Sequence, residues 1–344
     1  MYAKQLVIAI VALLVVSCKE TKTKNKMENE ISYSVTVNAP EGYPVEVHIG
    51  YLLDKNKELI CGMPKAGTVT DGWEAEGKEG GQGGSVIPYY LNLTYVAYAE
   101  KKFYTVDAAL PADKILEAFK KGYDHGEYNG TLVHNTYDYF TVGAAPGGII
   151  VVWLGGAQNR TEICRLQAKE VVVDRNDFYE NPHQRTQTDF FDELFKITVP
   201  DSIKAEIAQK GIPVNRWEKY RTRFNYRFIL ESYNELDKFT HNYYVYFNGE
   251  ADELLPKELV KNDFYDKSIP YHCTFIFTKY STEIFFDYDE MLEIFNKFKL
   301  KYPNKPIDII IKPTFMYASM KVSVKCENEI IVPTKFKVEG VWGA

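Results

Sequence analysis

The chain lacks the local signatures of the common enzyme classes. It has no GxSxG, and so no nucleophile elbow. It has no HExxH, no GxxxxGK[ST] and no GxGxxG, which counts against zinc proteases and nucleotide-binding folds. Histidines number six and cysteines five, with no CxxC, so a metal site is not expected. Positive charge is not in excess: 41 Lys and Arg face 47 Asp and Glu, a net charge of −6. A broad nucleic-acid surface is therefore excluded, because phosphate binding needs a cationic face. No apolar run reaches the eighteen residues of a membrane-crossing helix.

Aromatic residues are abundant. The 344 residues include 26 Tyr, 20 Phe and 4 Trp. Flat rings pack well on a pleated surface, so this composition favours sheet. The length suits one large domain or two ordinary ones.

The longest apolar run is Leu6 to Val16, eleven residues behind Lys4. Its place and length fit the hydrophobic core of a secretory signal. Val15-Val16-Ser17-Cys18 follows and resembles a bacterial lipobox. That resemblance implies cleavage before Cys18, lipid attachment at Cys18, and a signal peptide over 1–17. Residues 18–30 are polar and without periodicity, and read as a flexible tether. Lys19-Glu20 resembles the start of a surface-export signal, although Thr21 departs from it. The expected place is the cell envelope, most simply the outer membrane, on its periplasmic face or at the cell surface. The expected partners are the membrane, through the lipid, and a protein of the envelope. Cys61, Cys164, Cys273 and Cys326 have no close spacing and are read as free thiols, with Cys61–Cys164 and Cys273–Cys326 as the alternative.

Period-two alternation over 31–37 and 45–53 predicts half-buried strands. Further strands are expected near 89–99, 102–109, 136–143, 148–154 and 161–173. Pro111 opens a helix that carries Ile115, Leu116 and Phe119 and stops at Gly122. Residues 75–85 are glycine-rich and read as a mobile loop. From Asp174 the pattern breaks, with one short helix expected at 201–210. A second strand pair opens at Ile269-Pro270-Tyr271, and a helix carrying Leu292 to Phe295 follows. Ile87-Pro88-Tyr89 and Leu116 to Phe119 stand in the same order 182 and 176 residues earlier. An internal duplication would explain this recurrence. The expected fold is α+β: largely antiparallel sheets, with one helix packed on each of two similar halves. The expected domains are 31–175 and 214–344, joined by a linker over 176–213.

Four residues stand out as candidate ligand-binding groups. His125, His134 and Asp138 lie in a polar stretch that offers a carboxylate–imidazole pair. Trp73 borders the glycine-rich segment and is the better surface candidate among the tryptophans. Gly143 to Gly148 is expected to form a hairpin turn rather than an anion cradle. No catalytic residue and no cofactor is expected.

Tyr43-Pro44, Gly72-Trp73, Phe103-Tyr104, Leu110-Pro111, Tyr137-Asp138, Pro146-Gly147-Gly148 and Val152-Trp153-Leu154 occur in the order of a known set. In this the chain resembles the domain of unknown function family 2931, most densely over 43–173. The resemblance implies a bacterial lipoprotein, with immunity to a secreted toxin as one role. It supplies no catalytic residues. The reading favoured is a lipid-anchored envelope protein that binds without catalysis. Two alternatives are a glycan or lipid hydrolase using His125 or His134, and an envelope scaffold.

Overall fold

The computed structural model describes residues 31–65, 67–126, 131–255 and 263–343. The expected signal peptide, Cys18 and the tether lie outside the described residues. Strands β1 (Ser34–Asn38), β2 (Val45–Leu53), β3 (Leu59–Gly62), β4 (Lys78–Gln82), β5 (Tyr90–Ala97) and β6 (Lys102–Ala109) come first. Helix α1 (Ala112–Lys121), the hairpin β7 (Tyr123–Gly126) and β8 (Leu132–Asn135), and β9 (Tyr139–Ala145), β10 (Ile149–Gly156), β11 (Asn159–Gln167) and β12 (Lys169–Val171) follow. Helices α2 (Arg175–Phe178), α3 (Gln187–Thr198), α4 (Asp201–Lys210) and α5 (Arg216–Lys219) lead into the second half. That half contains β13 (Phe224–Leu230), β14 (Phe239–Tyr246), β15 (Ala251–Leu254), β16 (Tyr265–Lys267), β17 (Pro270–Phe277) and β18 (Tyr280–Phe285). Helix α6 (Tyr288–Lys301), β19 (Ile307–Pro313), β20 (Met320–Cys326), β21 (Glu329–Ile331) and β22 (Lys337–Gly343) complete it.

The architecture is α+β with mostly antiparallel pairing, as expected. The two halves repeat one topology. The first half has sheets in the order β4-β1-β9-β10-β11 and β12-β6-β5-β2-β3. The second half has β16-β13-β19-β20-β21 and β22-β18-β17-β14-β15. The single parallel pair of each half also corresponds, β1 with β9 and β13 with β19. Strand β11 meets β15 at one residue pair, Arg160 with Ala251, and this contact fuses two of the four sheets into a ten-stranded sheet.

Helix α1 buries Ala112, Ile115 and Phe119, and Gly122 ends it at φ +54°, a conformation that favours glycine. Asp287 caps α6 by accepting from the Glu290 N–H. Met291, Ile294, Phe295 and Phe298 then fall on one face at helical spacing and are buried. Each half has its own core, one around Val35, Leu93 and Phe119, the other around Phe228, Phe275 and Phe295. A third cluster, holding Tyr43, Trp73, Trp153 and Trp217, packs between them. All four described cysteines are free thiols.

Two expectations need correction. Residues 78–82 are not a mobile loop but strand β4, paired with β1. The glycines are there for close approach: a Cβ on Gly80 would strike Pro64, and one on Gly83 would strike the Tyr33 ring. The stretch 176–213 contains α3 as well as α4. Thr186 and Asp189 form a reciprocal cap at the start of α3. Phe190 of α3 is buried and stacks on Phe103, and Val199 enters the inter-half cluster, so this segment is packed against the body.

Candidate functional site

A groove of about 500 Å³ opens where α5 and the segment before it face β17 and the start of α6. Its apolar wall is a run of rings brought from four separate segments. Tyr220 lies 5.2 Å from Phe247 and 4.5 Å from Tyr288, and Phe247 lies 5.0 Å from Tyr271. These contacts are edge-on or tilted, the arrangement that aromatic quadrupoles favour. The groove continues into a smaller hollow of about 160 Å³ bounded by Tyr43, Trp73, Glu74 and Trp217. Arg216, Tyr220, Phe247 and Tyr271 border both spaces, so the two form one surface.

The polar groups of this groove are largely held by the protein itself. Arg216 pairs with Glu206, which also accepts from the Tyr43 hydroxyl. Tyr288 donates to the Lys219 carbonyl at 2.6 Å. Burial pushes the Tyr220 and Tyr288 hydroxyls up to about 12, so both stay neutral donors. Burial also raises the Glu74 carboxyl above the usual range. The groove therefore presents neutral ring faces and hydroxyls beside Asn215, Lys219 and Asp289. Such a surface can stack a flat or ring-shaped group and hold its polar rim.

The residues singled out from the sequence are placed elsewhere or differently. Trp73 is 6 % exposed and packs edge-on against Trp153 at 4.7 Å, so it is a core ring that only borders the smaller hollow. The surface assignment fails because the chain after Gly72 folds inward to give its carbonyls to Arg160 and Asn38. His125 and His134 occupy opposite faces of the β7–β8 hairpin. His134 pairs across the hairpin with Asp124 at 2.8 Å, while His125 points the other way, to Glu253 of β15 at 2.7 Å. Asp138 sits in the backbone ladder, donating to Gly155 and accepting from Ser34, and its carboxyl is raised by burial. The structure does not bring these three side chains into one site. The Gly147 N–H, which could have received an anion, donates to the Glu100 carboxylate instead. Among the described residues no cluster of three His, Cys, Asp or Glu could hold a metal ion.

The groove residues escaped sequence reading because Tyr220, Phe247, Tyr271 and Tyr288 span almost seventy residues in a chain rich in such rings. The fold and groove together define an α+β protein of two topologically matched halves with an aromatic surface at their junction. The chain belongs to the family described as protein of unknown function (DUF2931), whose model matches residues 19–215. That match covers the first half and the packed helices, and ends just before the groove's Arg216. Among curated proteins and solved structures, nothing matches the chain.

Proposed function

We propose that this chain is a lipid-anchored protein of the bacterial cell envelope that binds a partner in the aromatic groove and does not turn it over. The observation that supports binding is the continuous wall of Tyr220, Phe247, Tyr271 and Tyr288 over about 500 Å³. Large rings with a polar edge supply contact area at low entropic cost. The support for the anchor is Cys18, placed directly after the apolar run Leu6 to Val16. The favoured partner is an envelope or secreted protein, with a toxin to which the chain confers immunity as the narrowest form.

Two experiments test this. The chain is crosslinked to envelope and secreted proteins, in parallel with Phe247→Ala and Tyr271→Ala variants. Capture of one protein by the native chain, reduced about tenfold or more in either variant, is the expected result. Equal capture by all three would remove the groove from the function. In cells, Cys18→Ala is expected to release the protein from membranes or leave it unprocessed. Normal membrane attachment of that variant would refute the anchor.

A further inference from the structure

A second cavity, of about 190 Å³, opens where β11 meets β15 and β16. Its wall includes Lys267, which is 4 % exposed although proteins seldom bury a lysine, and beside it the partly buried Asp252 carboxyl. They form no ion pair with each other. The Lys267 ammonium sits over the Tyr265 ring at 3.7 Å and the Tyr226 ring at 4.9 Å, with no hydrogen-bond partner among the described residues. Asp252 Oδ2 accepts from Tyr265 at 2.5 Å and from Tyr246 at 3.2 Å. Arg160 and Arg223 also border the space; Arg160 gives its Nη1 to three backbone carbonyls, with Nε and Nη2 unpartnered among the described residues, and Arg223 pairs with Glu250.

The fold does not require these charges. Lys267 closes β16 opposite the first residue of β13, and the topological counterpart, which closes β4 opposite the first residue of β1, is Gln82. Asp252 is the second residue of β15, and the second residue of β3 is Ile60. At the matching places in strand order the first half has neutral side chains. The amine and the carboxyl are particular to the cavity.

We propose that Lys267 is a nucleophilic amine that condenses with a small aldehyde or ketone entering this cavity. The inference stands independently of the groove. The Lys267 nitrogen attacks the carbonyl carbon and forms the C–N bond, and the carbonyl oxygen takes up a proton. The resulting hydroxyl leaves as water when C=N forms. Both amine protons depart in that water, so aldehyde plus amine gives imine plus water, with no oxidant or reductant. Burial supports the step, pushing the Lys267 amine down to about 8, so a useful fraction is neutral near physiological pH. A space of 190 Å³ holds about six waters, which limits the ligand to roughly that many non-hydrogen atoms.

The test traps the imine. The full chain is incubated at pH 8 with glycolaldehyde or pyruvate and cyanoborohydride, and adducts are mapped by peptide mass spectrometry. Lys267 is expected to take the adduct at least tenfold faster than exposed lysines such as Lys299. Its labelling should reach half-maximum near pH 8, and Lys267→Arg should lose that adduct alone. The pH profile needs only the native chain, so a variant that fails to fold leaves the test intact. Adducts confined to exposed lysines, or Lys267 labelled no faster than they are with both probes, would overturn the proposal.

Discussion

Trp153→Ala is expected to destabilise the protein by about 3–5 kcal/mol, the range for removing a fully buried large aromatic side chain. Trp153 is 0 % exposed and lies in β10, at the heart of the inter-half cluster. One side of the indole meets Trp73, and the Arg160 guanidinium stacks over it at 4.2 Å. A Cβ on Gly143 would approach the ring to 2.4 Å, and one on Gly249 to 2.9 Å. Gly249 comes from the second half, at φ +81°, so the ring is gripped by both halves. Alanine would leave a cavity and strip Arg160 of its aromatic face at once. Urea denaturation should show the midpoint falling, and also a loss of cooperativity if the halves then unfold separately. A cost below about 1 kcal/mol would mean that the joint does not depend on this ring.

Some of this organisation was legible in the sequence. Helix α4 was readable from Asp201 at its start and Gly211 after its end, and α1 from Pro111 and Gly122. Those signals are local, so they survive without knowledge of the fold. Strand β4 was not readable, because Lys-Glu-Gly-Gly-Gln has neither alternation nor β-branched residues. Its glycines, Gly80 and Gly81, answer to Pro64 and the Gly62 carbonyl, which no local pattern brings to them. Helix α3 had a usable signal in Thr186 and Asp189 three residues apart, masked by the polar run before it. The recurrence of Ile-Pro-Tyr ahead of each helix pointed to matched halves, and the strand orders do match. The sites were harder to read, because both lie at the junction. His125 meets Glu253 only after the two halves have docked, and Tyr220 meets Tyr288 across 68 residues of sequence. No window of sequence contains such a pairing.

Lys267→Met is expected to make the protein more stable at pH 7, by about 1–3 kcal/mol. Burial lowers the folded-state pKa of Lys267 from 10.5 to about 8. Between those values the unfolded chain binds a proton that the folded chain does not, so stability should rise with pH across that window. Below about 8 that contribution is lost, and the folded protein holds a buried ammonium at a cost of about 3 kcal/mol. Methionine removes the charge and keeps an apolar chain against Tyr226 and Tyr265. Part of the gain is offset, because Asp252 loses a neighbouring cation and its carboxyl, already raised by burial, moves higher. Urea denaturation at pH 7 and pH 9.5 measures both effects. The native chain should gain stability between the two values from this lysine, and the variant should lack that gain. A variant less stable than the native chain at pH 7 would mean that the ammonium is a structural tie between the tyrosine rings. A stabilised variant means instead that the fold carries Lys267 at a cost, as proteins do where a residue serves chemistry rather than packing.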